Sequence, residues 1–197
     1  MILAAGSGFA AQAQEKVVQF TPSKQRNNHG FSKEANRLDH EGMALMEEGK
    51  IDEAVEKFNA SLKRMPKNPR ALGNRAVCRL SQGRFDEAIR DFSHALWLAP
   101  EARSRLGEKL GEAYLGRGRE KAGAGDAGGA RRDFLAALKC VDRVIALYPK
   151  HAQAYIDRAA IRRSLHQCPQ ARSDQDKALE LSPNLRTVVG RTPPCED

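Results

Sequence analysis

The sequence predicts an all-α protein built from consecutive pairs of antiparallel helices. Three observations lead to this fold class. A segment recurs at an interval of 34 residues, aromatic residues make up only 6% of the chain, and glycines and prolines fall at regular points between apolar stretches. Such a composition favours closely packed helices over β-sandwiches, which need β-branched and aromatic residues. Hydrophobic residues make up 41% of the 197 residues, which is enough to build a core.

The repeat is clearest in residues 49–58 and 83–92, where the matching residues are 34 positions apart. A glycine opens each segment, because a left-handed residue without a β-carbon ends a helix at least cost. An aspartate then caps or electrostatically favours the next helix, a small alanine lets two helices approach, and a phenylalanine one turn later fills the space between them. A proline ends the second helix. These residues are Gly49, Asp52, Ala54, Phe58 and Pro66 in one segment, and Gly83, Asp86, Ala88, Phe92 and Pro100 in the other.

The period and the pattern W-x2-L-G-x2-Y, A-x3-F, P resemble the tetratricopeptide repeat (TPR). The matching residues are Leu38, Gly42, Leu45, Ala54, Phe58 and Pro66 in the first unit, Leu72, Ala76, Ala88, Phe92, Ala95 and Pro100 in the second, and Tyr155, Ala159, Ala171, Ala178 and Pro183 in the fourth. Gln175 stands where the fourth unit should have an aromatic residue. The resemblance implies a TPR solenoid of four helix-turn-helix pairs whose first helices line a concave groove. We expect a domain over residues 32–184 with repeats at about 35–68, 69–102, 103–151 and 152–185, a flexible N-terminal segment 1–31 and a tail 185–197.

The third unit is longer than the others. Its segment Leu110–Tyr114 matches a first helix, but Pro100 and Pro149 are 49 residues apart, fifteen more than the period. If the glycine cluster at residues 122–129 forms the hairpin tip, each helix gains about two turns, or about seven residues. We therefore predict an elongated, protruding third hairpin, with a looped-out insertion as the alternative. Its candidate basic surface comprises Arg117, Arg119, Arg131 and Arg132, with Arg131, Arg132 and Lys139 facing outward.

The chain ends leave localisation and cysteine state open. The apolar segment Met1–Gln14 and the sequence Ala11-Gln12-Ala13 resemble the second half of a secretory signal, but no Lys or Arg precedes them. Cytoplasmic and exported locations therefore both stand, and no segment has the roughly 20 apolar residues of a membrane span. Four free thiols are the favoured interpretation of the cysteines, and a Cys168–Cys195 pair is the alternative for an exported protein. The tail shows no evident capping helix, so self-association through the last repeat is an open possibility.

Within the implied groove, we expect a partner protein or peptide to meet a mixture of apolar and charged side chains. The candidate lining residues are Asn36, His40, Met43, Asn74, Val77, Arg105, Lys109 and Ile156. Ordinary packing between helices is the alternative role for the apolar members. The formal net charge of +8 is compatible with an acidic partner.

Three other functions are weighed against this one. Some relatives clamp the terminal carboxylate of chaperones, and Asn74, Arg105 and Lys109 match parts of that donor set. Asp39 and Met43, however, occupy the slots of a lysine and an asparagine, and an acidic Asp39 would repel a carboxylate. RNA or DNA binding would use the basic third hairpin, but no run of aromatic residues and no recognition motif accompanies it. Because the histidines are scattered and no phosphate loop or nucleophile motif occurs, we predict no enzymatic activity, cofactor or metal.

Overall fold

The computed structural model describes residues 33–190, without the side chains of Arg103, Ser104 and Val188. The segment with the signal-like sequence and the residues from 191 onward, Cys195 among them, lie outside this range. Eight long helices form four antiparallel hairpins in the described range: α1 (Lys33–Glu47), α2 (Ile51–Arg64), α3 (Pro69–Ser81), α4 (Phe85–Leu98), α5 (Arg103–Gly123), α6 (Ala127–Leu147), α7 (Ala152–Ser164) and α8 (Cys168–Leu181). The predicted solenoid of four helix-turn-helix pairs is confirmed.

Each hairpin turns on one residue with left-handed backbone geometry. Gly49, Gly83 and Gly125 have φ angles of 75°, 71° and 83°, which glycine adopts without steric cost. The fourth turn uses His166 at φ 57°, although a residue with a β-carbon is disfavoured there. The glycines at positions 49 and 83 therefore end the first helices of their hairpins, as predicted from the repeat.

The helices form an inner and an outer layer. The odd-numbered helices contact one another directly, α1 with α3, α3 with α5 and α5 with α7, whereas the even-numbered helices pack chiefly on their odd-numbered neighbours. The more closely spaced odd-numbered layer is the concave side. Phe58 and Phe92 are fully buried between the layers. The approach is close at Gly42, where a β-carbon would lie 2.7 Å from Phe58 Cε1.

The third hairpin is elongated and helical throughout, so the looped-out alternative is wrong. Both α5 and α6 have 21 residues, whereas α2, α4 and α8 have 14. Asp126 begins α6 by accepting a hydrogen bond from Gly129 N at 2.7 Å. Arg131, Arg132 and Lys139 are exposed or partly exposed on α6, as predicted.

An ion pair joins the two helices of each hairpin at a spacing of 16 residues, and its carboxylate is buried in the last three hairpins. In the last three hairpins an arginine of the inner helix binds an aspartate of the outer helix, and a second cation one turn along the inner helix binds the same carboxylate. The arginine–aspartate distances are 2.8 Å for Arg75–Asp91, 2.7 Å for Arg117–Asp133 and 2.6 Å for Arg158–Asp174, and the second cations are Arg79, Lys121 and Arg162. The first hairpin reverses the charges, with Lys57 Nζ 2.7 Å from Glu41 Oε2 in a more exposed pair.

The three arginines also reach the preceding hairpin, and their partners there show how far the third hairpin projects. These partners are Asn59 for Arg75, Asp86 for Arg117 and Asp142 for Arg158. Asn59 lies eight residues after the start of α2, whereas Asp142 lies fifteen residues after the start of α6. At a rise of about 1.5 Å per residue, the tip of the third hairpin therefore extends about 10 Å beyond its neighbours.

The C-terminal end differs from two expectations. A 3₁₀ turn (Pro183–Leu185) and a short helix α9 (Arg186–Gly190) follow α8, and Val189 packs on the apolar cluster between α6 and α8. The last hairpin is therefore partly covered by a five-residue helix that the tail sequence did not indicate. Cys168 is disulfide-bonded, so the interpretation of four free thiols is wrong, whereas Cys78 and Cys140 are not in a disulfide.

Candidate functional site

The candidate groove is the concave surface of α1, α3, α5 and α7. The eight groove residues predicted from the sequence all lie on these helices, but their exposure differs. His40 and Arg105 are exposed, Asn36, Met43, Val77 and Lys109 are half-buried, and Asn74 and Ile156 are buried. Met43 and Val77 pack against the apolar core, so part of each side chain serves interhelical packing.

The first hairpin buries a charge that the sequence placed in the groove. Asp39 is fully buried; its Oδ2 accepts hydrogen bonds from Asn68 Nδ2 at 2.7 Å and from Arg70 Nη2 at 3.1 Å. Arg70 Nη2 also donates to Asn36 Oδ1 at 2.9 Å. Because Arg70 neutralises Asp39 inside the protein, the expectation that Asp39 repels a ligand carboxylate is wrong. Neither Asp39 nor Met43 offers the donor that the carboxylate clamp requires.

Asn74 has an unsatisfied hydrogen-bond donor on the inner layer. The residue is 1% exposed, and its Nδ2 has no hydrogen-bond partner within the described part of the chain. Leaving a buried donor unpaired costs about 1–3 kcal/mol, and an ordered water or an acceptor atom of a ligand would recover this cost. Asn74 is therefore the inner-layer residue best suited to donate to a bound ligand.

Carboxylates gather between α5 and α7 at the end where these helices begin. His151 Nε2 lies 2.6 Å from Glu108 Oε1, Lys109 Nζ lies 2.9 Å from Glu112 Oε2, and Gln153 donates to Asp157 at 3.0 Å. Burial raises the pKa of Asp157 to about 6; the charges of Glu108 and Glu112 also raise it, and the hydrogen bond from Gln153 opposes the rise. This end of the groove is acidic despite the basic chain. Sequence reasoning missed Glu108, although its four-residue spacing from Glu112 was a signal.

The basic candidates of the third hairpin divide into two groups. Arg117 is tied to Asp133 and Asp86, and these hydrogen bonds raise the pKa of its guanidinium. Arg119, Arg131 and Arg132 have no hydrogen bond or ion pair within residues 33–190 and are exposed. Arg131 and Arg132 lie on the outer helix α6, and Arg119 lies on the inner helix α5. The structure therefore does not bring the four arginines together as one surface.

The described part of the chain shows neither of two other features. No group of three or more His, Cys, Asp or Glu side chains there is placed to hold a metal ion. None of the helices between residues 33 and 190 combines the length and the apolar character needed to cross a bilayer.

Comparison with known proteins agrees with this architecture. A family model described as "Tetratricopeptide repeat" matches residues 41–104. Tetratricopeptide repeat protein 36 of Caenorhabditis elegans is 52% identical over 40 residues, a segment that covers 20% of this chain and 22% of that protein. The matched segment thus spans about a fifth of the length of this curated relative.

Solved structures share the fold over most of the chain. A thermophilic TPR protein of Thermus thermophilus is 23% identical, covers 80% of this chain and 84% of its own, and has a TM-score of 0.63. MamA from Desulfovibrio magneticus RS-1 is 18% identical over 78% of each chain, with a TM-score of 0.66. The first TPR of Spaghetti (RPAP3), solved with the HSP90 peptide SRMEEVD, is 27% identical, covers 68% of this chain and 94% of its own, and has a TM-score of 0.52. The repeat, the helical hairpins and these similarities together show that the chain has the fold of a tetratricopeptide-repeat solenoid, with residues 41–104 matching the repeat family itself.

Proposed function

We propose that the chain is a non-enzymatic interaction module that holds a peptide segment of a partner protein in the concave groove of α1, α3, α5 and α7. The observation that carries this proposal is Asn74, whose buried Nδ2 lacks a partner. A carbonyl oxygen of a bound peptide would satisfy this donor once the side chains that cover the buried amide move aside to admit it. The half-buried Met43 and Val77 give apolar contact on the same inner layer.

The similarity to the Spaghetti TPR supports peptide binding and bears on its specificity. That domain was solved with the HSP90 peptide SRMEEVD. Here the two first-unit clamp slots hold Asp39, which is buried against Arg70, and Met43, which has no hydrogen-bond donor. Lys109 of the third unit is tied to Glu112. A degenerate clamp therefore has few free donors, and we propose a groove that selects a different peptide.

A peptide-display selection against the full chain, followed by fluorescence-polarisation titration of the selected peptides, tests the proposed function. We expect Asn74→Ala to weaken binding about 5- to 30-fold, the loss of about one or two kcal/mol of hydrogen bonding. The matched control is Arg131→Gln on the outer helix α6, which should leave affinity unchanged. Failure to select any peptide, or equal affinity for Asn74→Ala and the unchanged chain, contradicts the proposal.

The same titrations separate the other functions. A terminal SRMEEVD peptide that binds and loses affinity in Asn74→Ala would favour the degenerate clamp. An RNA oligonucleotide whose affinity falls steeply with salt, together with no selected peptide, would favour a nucleic-acid scaffold. In sedimentation equilibrium, an apparent molar mass that approaches twice the monomer mass as the protein concentration rises would indicate self-association.

A further inference from the structure

One face of α5 is directed toward α7 along most of its length. Glu108, Glu112, Leu115 and Arg119 recur at spacings of three or four residues, so they form one stripe on the helix. The first of them lies 2.6 Å from His151 at the start of α7, and Leu115 packs on the apolar cluster to which α7 contributes. The stripe is therefore acidic at the base, apolar in the middle and basic toward the protruding tip.

Arg119 faces a second arginine at the basic end. Counted from the contact between Glu108 and His151, Arg119 lies eleven residues further along α5 and Arg163 lies twelve residues further along α7, so the two parallel inner helices place both arginines at the same height. Burial lowers the pKa of Arg163, and the charge of Arg119 lowers it further. Burial lowers the pKa of Arg119 as well, because nearby protein atoms remove part of its hydration even though the side chain keeps an exposed surface. Two like charges thus face each other in a partly desolvated space between α5 and α7.

Neither arginine has a partner to offset this cost. No hydrogen bond or ion pair joins Arg119 or Arg163 to any residue in the described range. Other arginines of the inner helices do have partners; Arg75, Arg117 and Arg158 each bind an aspartate across their hairpin. Two unpaired like charges repel each other, and an anion that lies between the two guanidinium groups offsets this repulsion by accepting hydrogen bonds from both.

We propose that Arg119 and Arg163 bind the carboxylate of an aspartate or glutamate side chain in the partner peptide. The inference rests on the proposed function, because it assigns the class of side chain that the tip end of the groove receives. Two guanidinium forks match the planar geometry of a carboxylate. This site is separate from the clamp slots, since Arg119 lies ten residues beyond Lys109, or about 15 Å along α5.

The acidic end of the stripe determines how the peptide lies. Glu112 is seven residues before Arg119, about 10 Å away along the helix, and Asp157 lies opposite it on α7. An anionic side chain is repelled there and attracted to the two arginines, so the acidic residue of the peptide points toward the hairpin tip. A nucleic acid, whose charge is uniformly negative, would meet the carboxylates along the same groove and is disfavoured.

A titration of the ¹⁵N-labelled full chain with a small carboxylate tests the site without knowledge of the partner. The probes are N-acetylglutamate methylamide and its neutral glutamine analogue, and the readout is the arginine Nε–H resonances. We expect saturable shifts at Arg119 and Arg163 with the glutamate probe only. Arg163→Gln should reduce the affinity sensed at Arg119 at least fivefold, whereas Arg131→Gln should not change it. Equal responses to the two probes, or an unchanged affinity in Arg163→Gln, would overturn the proposal.

A second measurement separates this inference from the proposed function. Peptides selected on the unchanged chain should contain an Asp or Glu whose replacement by Asn or Gln weakens binding, and this loss should disappear in the Arg119→Gln, Arg163→Gln double variant. Selected peptides that bind through Asn74 but tolerate removal of every acidic residue would refute the inference and leave the proposed function intact. If no peptide is selected, the proposed function fails, and the small-carboxylate titration still decides whether the anion site exists.

Discussion

Replacing Asp133 by asparagine tests the buried ion pair that holds the protruding hairpin together. Asp133 is 4% exposed, and its carboxylate lies 2.7 Å from Arg117 Nη2 and 2.8 Å from Lys121 Nζ. Removing one partner of a buried pair typically costs about 3–5 kcal/mol, but here Arg117 retains Asp86 and is itself partly exposed. We therefore expect Asp133→Asn to lower the free energy of unfolding by about 2–3 kcal/mol, and Tm by about 4–10 °C.

Asp86→Asn is the matched control, because Asp86 binds the same arginine at 2.7 Å but its side chain is 70% exposed. An exposed ion pair contributes about 0–1 kcal/mol, so this variant should lose less than about 1 kcal/mol. Thermal unfolding followed by circular dichroism gives the overall loss. Hydrogen exchange of α5 and α6 localises it, because repeat arrays open in segments. Equal losses in the two variants would refute the assignment of the stabilisation to burial of the pair.

Three further predictions concern other parts of the array. Gly116→Ala should destabilise the junction between the second and third hairpins by about 1–3 kcal/mol in chemical denaturation, because a β-carbon there would overlap the ring of Phe85; unchanged stability would contradict the close approach. The folded pKa of Asp157, about 6, lies above its unfolded value, so deprotonation opposes folding and the free energy of unfolding falls as pH rises from 4 to 6. Asp157→Asn should therefore raise the free energy of unfolding at pH 7 by about 1–3 kcal/mol and flatten this fall. Unfolding curves across this pH range measure the change, and an unaltered fall would argue against it. Burial raises the pKa of the Cys78 thiol to about 12, so a thiol reagent under native conditions should modify the half-buried Cys140 first. Mass spectrometry of the labelled peptides measures the order of labelling. Faster labelling of Cys78 would contradict its burial.

The sequence was sufficient to predict the hairpins because their determinants are local. A glycine at the turn, an alanine and a phenylalanine on one face and a proline at the end act over a few residues, so Gly49, Ala54 and Phe58 carry the information by themselves. The lengthened third hairpin was also predictable, since the glycine cluster around Gly125 indicated where the chain turns between the two helices. The 16-residue spacing of Arg117 and Asp133 is visible in the sequence, but spacing alone does not predict an ion pair across the hairpin.

Side-chain partners across hairpins could not be predicted in the same way. Asp39 looked like a groove residue, yet Asn68 and Arg70, which cover it, are 29 and 31 positions away, where one unit ends and the next begins. The separation of Arg117 from Arg119 had a similar cause. Both are basic and close in sequence, but a change of two positions turns a side chain by about 200° around a helix. One therefore faces an aspartate of α6 and the other faces α7.

The lengths of α5 and α6 impose a rule on how such a hairpin grows. Contacts at the base of the hairpin lie at fixed sequence distances from the prolines that flank it. Contacts at its tip, such as that between Gly118 and Phe134, lie at fixed sequence distances from Gly125. Both sets persist only if each helix gains whole turns, since a fractional turn would rotate the tip contacts away from each other. One turn takes about 3.6 residues, so growth comes in steps of about seven residues of chain divided between two helices. The fifteen extra residues between Pro100 and Pro149 are two such steps, and insertions of intermediate size would leave base and tip out of phase.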